Sequence, residues 1–159
     1  MRQHVATNET FLILHNIRSA QNVGAIFRTA DAVGVSKIFL TGYTPLPTDR
    51  FGRKRKDVAK AALGAEEYVP WRHHTRIDSV LKNFHAEDVQ IVGVEQAPEA
   101  RDFRTFKPNG RTAYIFGNEV HGLSPTILKR CDTVIHIPMI GKKESLNVSV
   151  AVGVILFCV

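Results

Sequence analysis

The sequence has few of the features that mark membrane, secreted or disulfide-rich proteins. Its 159 residues include only two cysteines, Cys131 and Cys158, and their apolar surroundings predict reduced core thiols rather than a disulfide. The longest apolar run, Val148 to Val159, contains a serine and a glycine and is too short to cross a bilayer. The amino terminus, Met1 to Thr10, lacks the apolar segment of a secretory signal. These features predict a single domain in the cytoplasm.

The sequence also lacks two common nucleotide-binding signatures. No G-x-G-x-x-G follows the first predicted strand, and no G-x-x-x-x-G-K-[ST] occurs anywhere. Their absence argues against an ordinary dinucleotide site and against a P-loop. His73 and His74 have no cysteine or acidic cluster at ligand spacing, so no metal site is predicted.

Positive charge, by contrast, is in excess and is concentrated in one segment. The formal net charge is +6, and six cations lie between Asp49 and Lys60 beside only two acidic residues. The segment follows a proline-containing turn, Thr44 to Thr48, and is therefore expected to stand out from the domain. A solvated helix start is the alternative interpretation of such a run. A basic patch favours a polyanionic partner, and the predicted phosphate contacts are Arg50, Arg53, Lys54, Arg55 and Lys56.

Apolar strand patterns alternate with helical ones along the chain. Strands are predicted at Thr10–His15, Lys37–Thr41, Val89–Glu95, Thr112–Phe116 and Thr133–Ile137, with a short one at Glu67–Val69. Helices are predicted at Val23–Val33, Asp57–Ala65 and Ile77–Phe84, from Ser124-Pro125 onwards, and after Ser145. Strands separated by helices pair in parallel through crossover connections. The predicted fold is α/β, with one doubly wound, mostly parallel sheet and helices on both faces.

Three clusters of polar residues and glycines lie where predicted strands end. The first, N-x-G-x-x-x-R, runs from Asn22 to Arg28 and opens a helix, with Arg18 just before it. The second is G-N-E-V-H-G-L, from Gly117 to Leu123. The third consists of I-P-M, from Ile137 to Met139, and S-L-N-V-S, from Ser145 to Ser149. Because the loops at the carboxyl ends of strands form a crevice in open α/β sheets, these clusters predict a ligand site.

Each cluster also has a simpler interpretation when it is taken alone. Asn22 could cap a helix, Arg28 could be a surface charge, and Met139 could fill a gap in the core. Glu119 and Asn147 are harder to explain in this way, because polar side chains beside apolar strand ends need partners. We therefore expect Glu119 and Asn147 to be functional.

Taken together and in this order, the three clusters resemble the three motifs of the SpoU/TrmH branch of the SPOUT methyltransferases. The resemblance extends from about Phe11 to the carboxyl end. It implies a carboxyl-terminal trefoil knot, S-adenosylmethionine as cofactor, RNA as substrate, no metal, and a homodimer. It also implies one methyltransferase domain over residues 1–159, without a separate RNA-binding domain. The cofactor residues that it implies are Val94, Glu95, Phe116, Gly117, Asn118, Ile137, Met139, Ser145 and Leu146.

The reaction implied by the resemblance is methyl transfer to the 2′-hydroxyl of a ribose in RNA, with tRNA favoured over rRNA. The implied catalytic residues are Arg28, Glu119, Asn22, Asn147 and Ser145. Arg28 is expected to bind phosphate and stabilise the developing alkoxide, because a guanidinium is effectively never deprotonated. Which group takes the hydroxyl proton stays open. Arg18 and Arg28 join the basic run as implied RNA contacts.

Three other functions stay open on the sequence alone. A non-catalytic protein that binds RNA and cofactor would be expected to have lost Arg28 or Glu119, and both are present. Base-methylating relatives lack the N-x-G-x-x-x-R cluster. An unrelated nucleotide-binding domain would prefer NAD or ATP to S-adenosylmethionine. The apolar end at Val159 is expected to reflect either a truncation or burial against a partner subunit.

Overall fold

Seven parallel strands form the central sheet in this computed structural model, which describes residues 8–159. The predicted polar amino terminus therefore lies mostly outside the described residues. The strands are β1 (Thr10–His15), β2 (Lys37–Thr41), β3 (Trp71–His74), β4 (Gln90–Val94), β5 (Arg101–Asp102), β6 (Thr112–Phe116) and β7 (Thr133–His136). Their order across the sheet is β3-β2-β1-β6-β4-β7-β5, and each neighbouring pair is parallel. The predicted α/β class with a parallel sheet is confirmed.

Three of the six α-helices of residues 8–159 begin where a short polar side chain accepts a hydrogen bond from a free backbone N–H group. Ser19 caps the first helix by accepting a hydrogen bond from the backbone of Asn22, and Asn147 caps the last one in the same way from Ser149. Ser124 caps a third helix, as its sequence predicts. The helices are α1 (Ala20–Val33), α2 (Lys56–Ala62), α3 (Ala65–Tyr68), α4 (Ile77–Ala86), α5 (Pro125–Leu128) and α6 (Val148–Cys158), with a short 3-10 helix at Phe103–Thr105.

The predicted strand at Glu67–Val69 is wrong, because this segment lies in and just after α3. The neighbouring strand is β3, which pairs with β2 at the edge of the sheet formed by residues 8–159 and has three polar side chains after Trp71. Such an edge strand lacks the apolar pattern from which strands are predicted. The predicted helix Asp57–Ala65 is also interrupted, because Leu63 and Gly64 have φ of 52° and 92°. Gly64 thus stands near the predicted helix end, where the left-handed conformation favours glycine.

Alternate residues of β1 enter two separate buried clusters. Leu12 and Leu14 pack in a cluster that includes residues of α1, α2 and α6. Phe11 and Ile13 pack in a cluster that includes residues of α4 and α5. Because successive side chains of a strand point to opposite faces, helices cover the sheet on both sides of β1. This burial holds the central strands firmly and leaves the loops at their carboxyl ends to form a site.

The two cysteines differ in exposure. Cys131 is half-buried, whereas Cys158 is exposed at the end of α6, so the prediction of two core thiols is wrong for Cys158. The physical reason is that α6 is apolar around its circumference but packs against its own chain on one side only. None of the helices within residues 8–159 is both long and apolar enough to cross a membrane.

Candidate active site

The loops that follow β4, β6 and β7 surround a cleft that opens to solvent. These strands are neighbours in the sheet, so their carboxyl ends lie side by side. All the residues predicted to bind the cofactor line this cleft: Val94, Glu95, Phe116, Gly117, Asn118, Ile137, Met139, Ser145 and Leu146. The structure therefore brings together residues from the second and third clusters and from the end of β4, while their binding of a cofactor stays a prediction.

Two glycines let the loop after β6 return close to its own start. A Cβ atom on Gly117 would lie 2.6 Å from the carbonyl carbon of Gly122. Gly122 itself has φ of +64°, and a Cβ atom there would lie 2.1 Å from Oε2 of Glu95. The Glu95 carboxylate accepts a hydrogen bond of 2.8 Å from the backbone N–H of Leu123. Glu95 thus holds the turn in place at the floor of the cleft.

The buried side chain of Asn118 connects three loops. Its Oδ1 accepts hydrogen bonds from the backbone of Val120 and His121, both at 2.8 Å. Its Nδ2 donates to the carbonyl of Asn16 and to the hydroxyl of Tyr43, both at 3.0 Å. These four bonds use the full capacity of the amide. Asn118 therefore shapes the cleft, and its side chain has no donor left for a ligand.

Tyr43 was missed by the sequence analysis and lies at the rim of the site. Its ring is 61% exposed, and its hydroxyl accepts the hydrogen bond from Asn118. Asn16, with φ of 55°, holds it by accepting a hydrogen bond from the backbone N–H of Tyr43. The available signal was the position of Tyr43 in the loop that follows β2, because functional residues are concentrated in loops.

Glu119 joins the second cluster to the first. Its carboxylate accepts hydrogen bonds from the backbone N–H groups of Arg18 (2.9 Å) and Ser19 (3.1 Å), and from Nδ2 of Asn22 (3.1 Å). Burial raises the pKa of Glu119, but the donated hydrogen bonds together outweigh it, so that its pKa lies below the ordinary value. Glu119 is therefore an anion at neutral pH, and it fixes the start of α1.

Asn22 does not cap α1, as its simpler interpretation would require, because Ser19 has that role. The amide of Asn22 is therefore available for contacts with other segments. It donates to Glu119, and its Oδ1 accepts a hydrogen bond of 3.2 Å from Nδ2 of Asn147. Asn147 in turn caps α6 through its Oδ1. A chain of hydrogen bonds thus connects Glu119, Asn22 and Asn147, one residue from each of the three clusters.

The two predicted arginines have no such contacts. Arg28 is exposed on α1, six residues and therefore about 9 Å along the helix from Asn22. It makes no hydrogen bond or ion pair with any of residues 8–159. Arg18 is also exposed, and only its backbone N–H reaches Glu119. Neither guanidinium forms an ion pair with an acidic side chain of residues 8–159.

A small recess beside the cleft is lined by Arg18, Ser19, Asn22 and Glu119. Glu119 borders both this recess and the cleft. No three His, Cys, Asp or Glu side chains of the described residues come together where they could hold a metal ion. The site therefore offers a cleft with both polar and apolar side chains, a recess lined by four polar residues, and the Glu119 carboxylate bordering both.

The basic run forms a turn whose charges are partly neutralised. Arg53 pairs with Asp49 at 2.8 Å, and Arg55 pairs with Asp57 at 2.6 Å. Lys54 lies 2.9 Å from Glu67 and 3.3 Å from the buried Glu66. Arg50 and Lys56 are exposed and form no ion pair with residues 8–159. The run is thus less strongly charged than its sequence indicates, because its acidic partners lie on α2, α3 and the turn itself.

A parallel sheet with a cleft at the carboxyl ends of its strands defines an α/β ligand-binding domain, and comparisons with known proteins identify its family. The sequence model of the SpoU rRNA Methylase family matches residues 9–157. The chain belongs to this family, and the predicted resemblance is confirmed.

Two curated relatives and one solved structure illustrate the match. YacO of Bacillus subtilis, named for the TrmH family of tRNA/rRNA methyltransferases, is 35% identical over 147 residues, which are 92% of this chain and 56% of YacO. The 23S rRNA (guanosine-2'-O-)-methyltransferase RlmB of Neisseria meningitidis is 34% identical over 145 residues, or 91% of this chain and 55% of RlmB. The AdoMet-bound rRNA methyltransferase of Sinorhizobium meliloti superposes with a TM-score of 0.84 at 29% identity, covering 95% of this chain and 55% of that one. The chain spans just over half the length of these relatives.

Proposed function

We propose that the protein transfers a methyl group from S-adenosylmethionine to the 2′-hydroxyl of a ribose in structured RNA. The observation that carries this proposal is the hydrogen-bonded chain from Glu119 through Asn22 to Asn147 at the edge of the cleft. The Sinorhizobium meliloti structure contains AdoMet, and RlmB is named as a guanosine 2'-O-methyltransferase. The names of the relatives include both tRNA and rRNA, so the preference for tRNA stays a prediction.

The side chains that line the cleft are suited to binding S-adenosylmethionine. Val94 and Ile137 are half-buried, and Leu146 is 38% exposed, so each leaves apolar surface on the cleft. A flat adenine ring would cover that surface, as apolar ligand sites require. The carboxylate of Glu119, which also lines the cleft, supplies a negative charge for a cationic ligand. S-adenosylmethionine, when bound, supplies an electrophilic methyl group on a sulfonium.

The polar recess is our candidate site for the ribose. Because Glu119 borders both cavities, a hydroxyl in the recess would lie close to a ligand in the cleft. Glu119 already accepts several hydrogen bonds and has a lowered pKa, which makes it a positioning anion rather than an effective base. The free guanidiniums of Arg18 and Arg28 are suited to RNA phosphate. Asn147 and Ser145 would shape the loop between the cleft and α6.

We also propose that the domain is knotted and that it acts as a homodimer. Ser145 and Leu146 line the same cleft as Val94 and Phe116, as expected if the carboxyl-terminal segment passes through the loops after β4 and β6 in a doubly wound fold. On α6, Val150 and Phe157 are 51% and 68% exposed. A partner subunit would cover this apolar surface. We propose further that residues 9–157, which the family model matches, form one methyltransferase domain, and that the protein acts in the cytoplasm.

The test is a labelling experiment with matched arginine variants. The protein is incubated with radiolabelled S-adenosylmethionine and either unmodified tRNA or unmodified rRNA, and the RNA is digested to nucleosides. We expect label in a 2′-O-methyl nucleoside, and a loss of at least about 100-fold in rate for Arg28→Ala. Arg72→Ala is the control, because Arg72 is an exposed arginine on the edge strand β3.

The outcomes separate the alternatives. Cofactor binding by calorimetry without any transfer would favour a non-catalytic protein that binds RNA and cofactor. Label in a base would overturn the ribose assignment. A folded protein that binds NAD or ATP but not S-adenosylmethionine would overturn the proposed function altogether.

A further inference from the structure

An aromatic side chain stands exposed at the tip of the basic turn, where it supports no core. Phe51 is 66% exposed and belongs to neither of the two buried clusters. Two arginines flank it: the guanidinium carbon of Arg50 lies 4.8 Å from the centre of its ring, and that of Arg53 lies 5.0 Å away. Because only a minor part of Phe51 is buried, the hydrophobic effect stabilises the fold little at this position. Its place in the turn therefore calls for another explanation.

Several hydrogen bonds fix the conformation of the turn that carries Phe51. The Oδ1 atom of Asp49 accepts hydrogen bonds from the backbone N–H groups of Phe51 (2.8 Å) and Arg53 (3.0 Å). The backbone N–H of Asp49 donates to the carbonyl of Arg53 at 2.8 Å, and an antiparallel bridge joins Thr48 to Lys54. Asp49 also holds the side chain of Arg53 through Nε at 2.8 Å. The turn therefore presents the ring and one guanidinium in a preorganised arrangement.

The same loop leads back to the proposed active site. It begins after β2 with Gly42 and Tyr43, and the hydroxyl of Tyr43 is bonded to Asn118 in the cleft. The loop thus carries two exposed aromatic rings, Tyr43 at the rim of the cleft and Phe51 at the tip of the turn. An RNA strand that leaves the cleft along this loop would meet both rings and the free charge of Arg50.

We propose that Phe51 and its flanking arginines form a stacking site for an unpaired nucleotide of the RNA substrate. The inference rests on the proposed function, because it takes RNA as the substrate. An unpaired base offers a flat face that stacks on aromatic rings and on guanidinium planes, and its phosphate offers a partner for the positive charge. A base inside a duplex is stacked on its neighbours and is not available in this way. The site is therefore selective for single-stranded or loop nucleotides.

The test compares binding of a fluorescein-labelled single-stranded 12-nucleotide RNA with binding of the same strand in a duplex, by fluorescence anisotropy. Phe51→Ala is expected to weaken binding of the single strand about 5- to 150-fold, the range for loss of one stacked base. The slope of the logarithm of the binding constant against the logarithm of the salt concentration should stay unchanged, because Phe51→Ala removes no charge. Arg50→Ala should weaken binding and also lower that slope by about 0.7.

Tyr68→Ala is the matched control, because Tyr68 is 73% exposed but lies on α3 next to Glu67. It is expected to bind RNA like the wild type, and Phe51→Trp is expected to retain binding. Equal affinity of Phe51→Ala and wild type for the single strand would overturn this inference alone. So would equal weakening on single strand and duplex. If the wild type binds neither RNA while it remains folded, the proposed function fails as well.

Discussion

Replacing Glu119 with glutamine tests the network that joins the three clusters. The carboxylate accepts hydrogen bonds from the backbone of Arg18 and Ser19 and from the amide of Asn22. Glutamine has nearly the same shape, but one of its terminal groups is a donor that would face these N–H groups, and the negative charge is lost. We expect the variant to fold with a less firmly held connection between β1 and α1.

The magnitude follows from the three donors. Hydrogen bonds to a charged group contribute about 1.5–3 kcal/mol each. Because Glu119 is only partly buried, water replaces much of what the variant loses. We therefore expect Glu119→Gln to lower the free energy of unfolding at pH 7 by about 2 kcal/mol for the three hydrogen bonds together. For a domain of this size, that corresponds to a fall of about 4–8 °C in Tm.

The stabilisation that Glu119 gives the fold is expected to decrease at acidic pH. Burial raises the pKa of Glu119, but its hydrogen bonds lower it further, so the folded-state pKa lies below the ordinary value. A carboxyl group of this kind stabilises the fold above its unfolded-state pKa, and that stabilisation is lost as the pH falls through its folded-state pKa. The difference in stability between wild type and Glu119→Gln should therefore be full at pH 7 and should shrink below about pH 4.

The assay is urea unfolding followed by circular dichroism at pH 7, 5 and 3.5. Glu99→Gln serves as the control, because Glu99 is exposed and has no hydrogen-bonded side-chain partner within residues 8–159. It should unfold like the wild type at every pH. A difference for Glu119→Gln that is absent at pH 7, or that stays constant down to pH 3.5, would refute the role given to this carboxylate.

Three further predictions concern the cleft and the core. Gly117→Ala should unfold at lower temperature and lose cofactor binding by calorimetry, because its Cβ would meet backbone at 2.6 Å, whereas Gly141→Ala, with no atom within 4 Å, should match the wild type. Asn147→Asp should keep the cap of α6, since a carboxylate accepts a hydrogen bond from the same N–H group, but it cannot donate to Asn22. We expect this variant to have an unchanged Tm and a reduced rate of methyl transfer. An unchanged rate of methyl transfer would contradict the role given to the bond between Asn147 and Asn22. Burial raises the pKa of Cys131 to about 12, so this thiol should resist iodoacetamide at pH 8 until urea unfolds the protein, as read by mass spectrometry; rapid labelling of the folded protein would contradict it.

Five of the seven strands follow from the sequence, because β1, β2, β4, β6 and β7 contain apolar runs that are typical of buried strands. The two edge strands do not. After Trp71, the remaining three side chains of β3 are polar, and β5 is only two residues long, so neither has a pattern that local reasoning can detect. Their pairing depends on the neighbouring strand rather than on their own composition.

The sequence by itself determined the family, the parallel α/β class and the residues that line the cleft. This was possible because a motif that directly follows a strand lies at the carboxyl end of that strand, and the carboxyl ends of parallel strands lie along the same edge of the sheet. Only the tertiary structure decided which polar groups pair. Ser19, not Asn22, caps α1, and Asn22 bonds instead to Glu119, which lies 97 residues away along the chain. Tyr43 likewise became part of the site through Asn118, 75 residues away. Such pairs have no local signature, because a hydrogen bond depends on distance in space and not on separation along the sequence.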